Sequence, residues 1–368
     1  MSTQYSFSRI AFLLPNLNGG GAERVFVVLA NQFAKQGFHV DLLLLQKSGV
    51  LLSEVSTSVN IVDLGVSNIY LCMPEIVRYL RKVTPDVLLA TLEFTSLMAL
   101  AARKISGVQT RVVIRVAVAV SQHKRSWIKK RIERRLLSFM YPWAYRIVTV
   151  SEDTKRDLVD FSYLPVEKIQ TIYNPVISQE MLDRANSNPS HEYYREGETP
   201  VILGVGRLTA QKDFETLIHA FDSVRKEMPA HLLILGEGED RTDLEDIIHS
   251  LGLDGVVSLP GYVINPFPYM KNASLFVLSS RWEGLPNVLI QALACGCPAV
   301  STNCPTGPME ILQGGKYGHL VPVGDAGALA QAILQSLHGD HRKPPTEWLD
   351  QFKVEPVVQQ YLNIINGD

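Results

Sequence analysis

The sequence has few of the features that anchor, export or cross-link a chain. Its 368 residues include only four cysteines, and Cys72, Cys295, Cys297 and Cys304 fit neither a zinc spacing nor a disulfide framework, so we expect free thiols. No His, Asp and Glu residues cluster at metal-ligand spacing, and we expect no metal. No run of about 18 apolar residues occurs, which argues against a membrane-spanning helix. The first residues lack a secretory signal, so we expect a cytoplasmic protein.

Charge is divided unevenly along the chain. Residues 1–176 hold 22 Lys and Arg against 13 Asp and Glu, whereas residues 177–368 hold 13 against 24. The formal net charge of −2 hides this division. Such an asymmetry suggests that one half of the chain faces an anionic partner.

Apolar strand-like runs alternate with helical segments in two blocks. The candidate strands of the first block begin at Arg9, His39, Asp86, Arg111, Arg146 and Ile169. Those of the second block begin at Pro200, His231, Val256, Leu275, Ala299 and His319. Short, nearly continuous apolar strands separated by helices predict parallel sheets that are covered on both faces. The predicted fold class is therefore α/β, with two doubly wound Rossmann-like domains facing across a cleft.

The domain limits follow from the same alternation. We assign residues 1–180 to an N-terminal domain, residues 181–345 to a C-terminal domain, and residues 346–368 to a last helix that packs back toward the first domain. The polar stretch Ser187–Thr199 is the best candidate linker. In doubly wound sheets, ligands bind beyond the carboxyl ends of the strands. We therefore expect functional residues directly after strands, in the cleft between the domains.

The segment Ser279–Leu312 is the most informative for function. An apolar strand is followed by Glu283, a Gly-Leu-Pro turn and an apolar helix. Pro286 stands where that helix would begin, a position at which its missing N–H is not needed. The free amides of the first turn favour an anionic or hydroxyl-rich ligand, and Glu283 is placed to accept hydrogen bonds from sugar hydroxyls. The alternative is an ordinary surface glutamate in a strand–turn–helix.

Two cations follow the first strand of the second block. Arg207 and Lys212 lie in a strand-to-helix turn at the ligand end of the predicted sheet. Cations in that place suit a diphosphate, whose charge they would neutralise in both the ground and the transition state. The alternative is a pair of solvated charges beside Asp213 and Glu215.

Glycines also recur after strands. Gly20 and Gly21 precede the first helix, and Gly206 and Gly238 follow strands of the second block, where Tyr262 also lies. Glycine permits positive φ and lets a ligand approach the backbone closely, and a nucleotide base beside Tyr262 is one such ligand. Ordinary tight turns explain the same glycines equally well.

Taken in this order, the segments resemble the retaining nucleotide-sugar glycosyltransferases of family 4, which have the two-domain GT-B fold. The likeness covers most of the chain and rests on GGGAER, VSEDTKRDLV, IYNPV, GVGRLTAQKD, GEGEDRTDLE, SSRWEGLPNVLIQALACGCPAVSTNCPTGPMEI and YGHLVPVGD. It implies a hexosyl- or N-acetylhexosaminyltransferase. Because Arg207, Lys212 and helix N-termini would stabilise the charge of the departing diphosphate, we expect neither a metal nor a cofactor. The donor would be a UDP-sugar, with a GDP-sugar as the alternative. The acceptor would be a saccharide, which we expect to be lipid-linked, in the assembly of a cell-surface glycan or polysaccharide.

The resemblance also implies roles for residues. A Glu-x7-Glu motif of the family binds the donor, and its first glutamate, at the sugar, corresponds to Glu283. The second, at the ribose, corresponds to Gln291, which still forms hydrogen bonds but lacks the carboxylate charge. Arg207 and Lys212 correspond to the residues that bind the donor diphosphate. Further donor contacts are assigned to Gly20, Gly21, Gly206, Gly238, Tyr262, Gly284, Leu285, Pro286 and Asn287.

One family feature is missing from its usual place. Many members have a histidine at a strand end of the N-terminal domain, near the donor sugar. Here Arg115 and Ala117 occupy the corresponding stretch, and His123 comes later. His123 is either a shifted counterpart, able to act on the acceptor, or part of the basic run that follows it.

That basic run predicts a membrane contact. Residues 124–135 contain seven Lys and Arg, one Glu, and Trp127, Ile128 and Ile132 at nearly helical spacing. A basic amphipathic segment with an aromatic anchor is typical of binding to an anionic membrane surface, here the inner face. The cations and the anchor assigned to this surface are Lys124, Arg125, Trp127, Lys129, Lys130, Arg131, Arg134 and Arg135. A solvated helix is the alternative; nucleic acid is disfavoured by the acidic second half and the lack of a recognition motif.

Two rival functions fit parts of the pattern. A GT-B-fold epimerase would turn over a nucleotide sugar without an acceptor. A non-catalytic partner that only binds sugar nucleotides would tolerate Gln291 and the missing histidine.

Overall fold

The structure is a computed structural model that describes residues 5–66, 71–122, 126–195 and 199–367. The chain folds into two compact units. The first comprises residues 1–175 together with 354–368, and the second comprises residues 176–353.

The first unit is built on a seven-stranded parallel sheet. Its strands β1 to β7 span Arg9–Leu14, His39–Leu44, Asn60–Asp63, Val87–Thr91, Arg111–Val116, Arg146–Thr149 and Ile169–Thr171. Its helices are α1 (Gly21–Lys35), α2 (Met73–Val83), α3 (Glu93–Ser106), α4 (Trp127–Met140), α5 (Glu152–Ser162) and, from the chain end, α14 (Val354–Asn366). The strand order is β3-β2-β1-β4-β5-β6-β7.

Strand β1 shows why the first sheet is covered on both faces. Ile10 and Phe12 point into a core layer formed with α1 and α14, whereas Ala11 and Leu13 point into a second layer formed with α2, α3, α4 and α5. Since alternate residues of a strand face opposite sides, burial of both sides requires a nearly continuous apolar run.

The second unit repeats this plan with a six-stranded parallel sheet. Strands β8 to β13 span Val201–Val205, His231–Leu235, Val257–Gly261, Leu275–Leu278, Ala299–Thr302 and His319–Val321. Helices α6 to α13 span Gln179–Arg184, Phe214–Glu227, Arg241–Ser250, Phe267–Asn272, Asn287–Ala294, Pro308–Ile311, Ala326–Leu337 and Thr346–Leu349. The strand order is β10-β9-β8-β11-β12-β13. The predicted α/β class with two doubly wound sheets is confirmed.

The strand order of the second sheet reverses between β8 and β11. At such a switch point the loops that follow the two central strands leave in opposite directions and open a crevice beyond the carboxyl ends. The loop after β8 carries Arg207 and Lys212, and the loop after β11 carries Glu283. The topology therefore brings the loops that bear the predicted catalytic residues to one place.

The unit limits differ from the predicted limits by a few residues. The first unit ends at Pro175 rather than at residue 180, because the amides of Val176 and Ile177 both donate to the carbonyl of Phe352 in the second unit. The last segment likewise changes units at Val354 rather than at residue 346, because the indole of Trp348 donates to the carbonyl of Ile311.

The predicted linker Ser187–Thr199 also differs from the structure. Tyr193 within it is buried and stacks on His231 at a centroid distance of 4.0 Å, so its described part belongs to the second unit. Residues 196–198 of this stretch lie outside the described residues.

Two strand predictions also needed correction. Strand β3 was not predicted, because its four residues are half-exposed or exposed and form no apolar run. The candidate strand that begins at Arg111 was expected to continue along its apolar run to residue 120, but β5 ends at Val116 and a 3-10 turn begins at Val120.

Candidate active site

A buried ion pair joins two of the three predicted catalytic residues. Lys212 Nζ lies 2.6 Å from Glu283 Oε1, and Ser280 Oγ donates to the same carboxylate oxygen over 2.7 Å. The side chains of Lys212 and Glu283 are only 16% and 9% exposed. Glu283 is therefore not a surface glutamate, and Lys212 is not a solvated charge. Removal of either partner would leave a poorly hydrated charge behind.

The backbones of the two loops are also joined. Arg281 N donates to the carbonyl of Gln211 over 2.8 Å, and Gln211 Nε2 donates to the carbonyl of Trp282 over 2.9 Å. Ser279 Oγ donates to the carbonyl of Lys212 over 2.7 Å. These bonds hold the segment 211–213 against the segment 279–283, so the ion pair forms between two fixed backbones.

A second ion pair lies beside the first. Asp213 is buried, has a φ of 51°, and accepts a bond of 2.8 Å from Arg281 Nη2 and another of 2.8 Å from Thr216 Oγ1. Aspartate tolerates the left-handed conformation better than most residues. The hydrogen bond from Arg281 to Asp213 is the main cause of a raised pKa of the Arg281 guanidinium. This pair supports the start of α7 directly after Lys212.

A third loop, after β12, fixes the backbone of Glu283. Thr306 Oγ1 donates to the Glu283 carbonyl, and Thr302 Oγ1 donates to the carbonyl of Ser280 over 2.6 Å. Gly307 has a φ of 95°, and a Cβ atom there would lie 2.6 Å from Pro286 Cδ. Glycine is therefore required at position 307 for both its conformation and its contact with the turn after Glu283.

Arg207 stands apart from the ion pairs. Its side chain is exposed, and no described residue forms a hydrogen bond or an ion pair with it. Gly206 lies beneath the aliphatic part of Lys212, since a Cβ atom there would be 3.1 Å from Lys212 Cε. The exposed guanidinium and the covered ammonium thus lie on one loop but in different surroundings.

The remaining predicted donor residues of the second unit follow its strands. Gly284, Leu285 and Pro286 are buried, whereas Asn287 and Gln291 are half-buried on the first turns of α10. Tyr262, which follows β10, is 59% exposed. Gly238 is required by packing, because a Cβ atom there would lie 2.0 Å from the Leu208 carbonyl.

In the first unit, the predicted glycines open α1. Gly20 is the N-cap of the helix, and a Cβ atom on it would lie 2.2 Å from Glu23 Oε2. Gly21 is the first helical residue. A carboxylate is favourable near a helix N-terminus, so Glu23 already occupies part of the region predicted for an anion.

The strand-end position of the missing histidine holds a buried arginine. Arg115 is 3% exposed and donates to Asn174 Oδ1 over 2.5 Å and to Thr91 Oγ1 over 3.3 Å. Its burial lowers the pKa of the guanidinium. His123, together with Lys124 and Arg125, lies outside the described residues.

The four cysteines lie in neither a disulfide nor a metal-ligand group of the described residues. Cys72, Cys297 and Cys304 are buried and Cys295 is half-buried, all as free thiols. Burial raises the pKa of the Cys304 thiol, which lies near Glu283, to about 12. Within residues 5–66, 71–122, 126–195 and 199–367, no three His, Cys, Asp or Glu side chains are grouped as metal ligands. Over the same ranges, every helix is too short or too polar to cross a bilayer.

Two protein-family models match the two halves of the chain. The model described as glycosyltransferase family 4 matches residues 19–180, and the model described as glycosyl transferases group 1 matches residues 199–339. The chain thus carries a glycosyltransferase family 4 domain in its first half and a glycosyl transferases group 1 domain in its second half. Each matched range falls mainly on one of the two units.

Named relatives agree with this assignment. An uncharacterised glycosyltransferase of Methanocaldococcus jannaschii is 35% identical over 181 residues, which are 48% of this chain and 45% of the relative. The chain thus spans less than half the length of that relative. A Campylobacter jejuni enzyme, named N-acetylgalactosamine-N,N'-diacetylbacillosaminyl-diphospho-undecaprenol 4-alpha-N-acetylgalactosaminyltransferase, is 28% identical over 344 residues, or 90% of this chain and 91% of the relative.

A solved structure supports the fold. The crystal structure of Anabaena HepE in complex with UDP has a TM-score of 0.79 at 18% identity and covers 98% of this chain and 100% of its own. The predicted GT-B fold and the predicted glycosyltransferase class are confirmed. The roles assigned to single residues stay predictions.

The ion pair gives a first prediction, about stability. Glu283→Gln and Lys212→Gln should each lower the free energy of unfolding by about 3 kcal/mol, because each leaves one charge buried without its partner. The double variant should lose much less than the sum of the two, since both charges are then gone. Urea unfolding of the four proteins measures the coupling, and simple additivity would show that the pair is not formed in solution.

Proposed function

We propose that this protein transfers a sugar from a nucleoside diphosphate sugar, with retention of configuration, to a lipid-linked saccharide at the cytoplasmic face of a membrane. The product would enter a cell-surface glycan or polysaccharide. The observation that carries the proposal is the buried Lys212–Glu283 pair at the switch point of the second sheet, in a chain of this family. Retention rests on the family resemblance alone.

The donor diphosphate fits the charges of the loop after β8. Arg207 offers an exposed guanidinium without a described partner, and Lys212 offers an ammonium whose partner a diphosphate could replace. Guanidinium groups bind phosphate oxygens bidentately, and both cations would stabilise the charge that grows on the departing diphosphate. With two cations in this role, no divalent metal is required. We favour UDP over GDP because the HepE structure of the same fold was solved with UDP.

Glu283 would bind the sugar of the donor. When a diphosphate engages Lys212, the carboxylate loses its cation but keeps the Ser280 hydroxyl. Its freed lone pairs can then accept hydrogen bonds from sugar hydroxyls, and charged acceptors form the stronger bonds. In the reaction, the bond between the anomeric carbon and the diphosphate breaks with its electron pair going to the diphosphate, and the acceptor oxygen forms the new bond and gives its proton to the departing diphosphate. Glu283 acts by orientation of the sugar during this exchange.

The acceptor proposal comes from the relatives. The Campylobacter jejuni enzyme, which aligns over nine-tenths of this chain, is named for an acceptor that is linked through a diphosphate to undecaprenol. Such an acceptor is held in a membrane. The location and the lipid-linked acceptor are therefore proposed together.

A product assay tests the proposal as a whole. We expect transfer from one member of a panel of UDP- and GDP-sugars to a lipid extract, detected by mass spectrometry. NMR of the new linkage should show the anomeric configuration of the donor, and EDTA should leave the rate unchanged. An inverted linkage would refute retention, and strong inhibition by EDTA would refute a metal-free reaction. An assay with the donor alone separates the two rival functions, since an epimerase would convert the sugar of the donor and a non-catalytic binder would leave the donor intact.

Variants of the three predicted catalytic residues give graded expectations. Glu283→Ala should lower turnover about 100-fold or more, because the sugar loses its orientation. Arg207→Ala should weaken donor binding by about 1.5–3 kcal/mol, the contribution of a charge-assisted bond. Lys212→Ala should weaken it further, because Glu283 is then an unpaired carboxylate beside the diphosphate. Calorimetry of donor binding ranks the variants. Equal affinity for all of them would show that the loop after β8 does not bind the donor.

Gln291 offers a separate test, because it is the departure from the family motif. If its half-buried amide bonds the ribose, Gln291→Glu should tighten donor binding, since an ionised acceptor forms bonds roughly twice as strong. Weaker binding would instead mean that the new charge repels the diphosphate. Gln335→Glu on α12 adds the same charge at an exposed position and serves as the control. An affinity equal to that of the control would show that position 291 does not contact the nucleotide.

A further inference from the structure

The loop after β9 lies between the end of β10 on one side and the loop after β8 on the other. Gly236 N donates to the carbonyl of Gly261, the last residue of β10, over 2.9 Å. On the other side, Leu208 N donates to the Glu237 carbonyl over 2.9 Å, and Asp240 N donates to the Leu208 carbonyl over 3.1 Å. The main chain of the loop after β9 thus joins the loop after β8 to the end of β10.

A single guanidinium reinforces the connection between β9 and β10. Arg241, the first residue of α8, donates through Nε and Nη2 to the two carboxylate oxygens of Glu237, over 2.8 and 2.6 Å. Its Nη1 donates to Glu245 Oε1 over 2.8 Å and to the carbonyl of Leu259 over 3.1 Å. Four of the five N–H groups of the guanidinium are therefore used within the unit. A lysine ammonium has three donors on one nitrogen and cannot reproduce this planar arrangement.

The bond to Leu259 meets β10 where its pairing is irregular. The register between β9 and β10 shifts between Ser258 and Gly261, and Leu259 lies within the shift. Irregularities of this kind change the direction of the side chains near them and are common next to functional sites. The residue that follows the shifted segment is Tyr262, whose side chain is exposed. Arg241 therefore supports the segment that sets the direction of Tyr262.

The Glu237 carboxylate fills the space beside Gly261. A Cβ atom on Gly261 would lie 2.8 Å from Glu237 Oε1, and Gly261 has a φ of 94°. Glycine is therefore required here for its conformation and for its contact with the carboxylate. The hydrogen bond from Arg241 is the main cause of a lowered pKa of the Glu237 carboxyl, so the carboxylate stays charged. The backbone directly before Tyr262 thus depends on the Glu237–Arg241 ion pair.

The strand order puts this ion pair on the nucleoside side of the proposed donor. In the proposed function, the sugar binds at Glu283 after β11, and the diphosphate binds at Arg207 and Lys212 after β8. The nucleoside of such a donor is attached to the end of the diphosphate opposite the sugar. The order β10-β9-β8-β11 then leads from the sugar, past the diphosphate, to the loops after β9 and β10. The nucleoside is therefore expected on the two loops that Arg241 connects.

We propose that Arg241 is a positioning residue for the nucleoside half of the donor. It holds Glu237 against Gly261 and so keeps the chain before Tyr262 in one conformation, which gives the ribose and the base a preformed surface. A preformed surface raises affinity because less ordering has to occur on binding. Since its donors are engaged within the unit, Arg241 acts through Glu237 and not through a bond to phosphate. The inference rests on the proposed function, which supplies the donor.

Calorimetry with three probes tests the inference on the full-length protein. UDP and GDP carry a nucleoside, whereas inorganic pyrophosphate carries the diphosphate alone. Arg241→Met and Glu237→Gln break the ion pair, and Glu245→Gln removes only the bond within α8. Lys226→Met is the matched control, because it removes an ion pair of the same spacing, with Asp222 at 2.7 Å, from the end of α7.

The expected losses are confined to the nucleotides. Arg241→Met and Glu237→Gln should each weaken binding of the preferred nucleotide about 10-fold, as expected when a preformed side chain must instead be ordered on binding. Their affinity for pyrophosphate should equal that of wild type, which also shows that the variants fold. Arg241→Lys should restore part of the nucleotide affinity, and Glu245→Gln and Lys226→Met should behave like wild type. An equal loss for nucleotide and pyrophosphate, or full nucleotide affinity in Arg241→Met, would overturn the inference.

A double-variant cycle with Tyr262 shows whether Arg241 acts through the end of β10. Tyr262→Ala should by itself weaken nucleotide binding, because it removes part of the proposed surface. Arg241→Met should add little to that loss, since the effects of residues that act through one another are not additive. Full additivity of the two losses would show that Arg241 does not act through this surface and would contradict the inference.

Kinetic measurements separate this inference from the proposed function. Arg241→Met should raise KM for the donor and leave kcat within about twofold of wild type, because the nucleoside is remote from the bond that breaks. A fall in kcat at unchanged KM would assign Arg241 to the chemical step and overturn the inference. If wild type binds a nucleotide more tightly than pyrophosphate but transfers no sugar, the proposed function fails and the inference stands. If wild type lacks that preference for the nucleotide, the inference fails.

Discussion

The contact between Lys212 and Glu283 is the constraint around which the second unit's site is built. Both charges are largely removed from water, so each depends on the other for its stability. Their loops are 71 positions apart in sequence and meet only because β8 and β11 are neighbours in the sheet. If the donor diphosphate binds Lys212 as proposed, it must replace the Glu283 carboxylate as the partner of that ammonium. Its net affinity would then be the difference between two strong interactions, and the freed carboxylate would be available to the sugar.

The parts of the fold that depend on local burial were predictable from sequence. Strands such as β1 and β8 are buried on both faces and therefore read as continuous apolar runs. Strand β3 escaped prediction because it is an edge strand of half-exposed residues, and its existence depends on pairing with β2. The unit limit was missed by a few residues because Val176 bonds to Phe352, a partner that no local pattern indicates.

The features of the site also divide into those that were predictable from sequence and those that were not. Positions directly after strands predicted that the loops of Arg207, Lys212 and Glu283 lie at one end of the sheet, and the loops of Lys212 and Glu283 do meet there. Which side chains meet was not predictable, since it depends on strand order and on loop conformation. The pair Asp213–Arg281 is an example, as it requires a left-handed aspartate at the start of α7. Gly238 was predicted as a donor contact, but its close packing against the Leu208 carbonyl explains the need for glycine at this position without a ligand.

The two halves of the chain differ in net charge, and their cations lie in different local surroundings. The second half is strongly acidic, yet it contains the cations proposed for an anionic donor. Charges more than about 10 Å away in solvent are screened at moderate salt, so the field at the site depends on Arg207 and on the two neighbouring ion pairs. In the basic first half, Lys129, Arg131 and Arg135 are exposed and have no hydrogen-bond or ion-pair partner in the described part of the chain. Lys212 is thus shielded from water beside its carboxylate partner, whereas Arg207 and these three cations of α4 are hydrated.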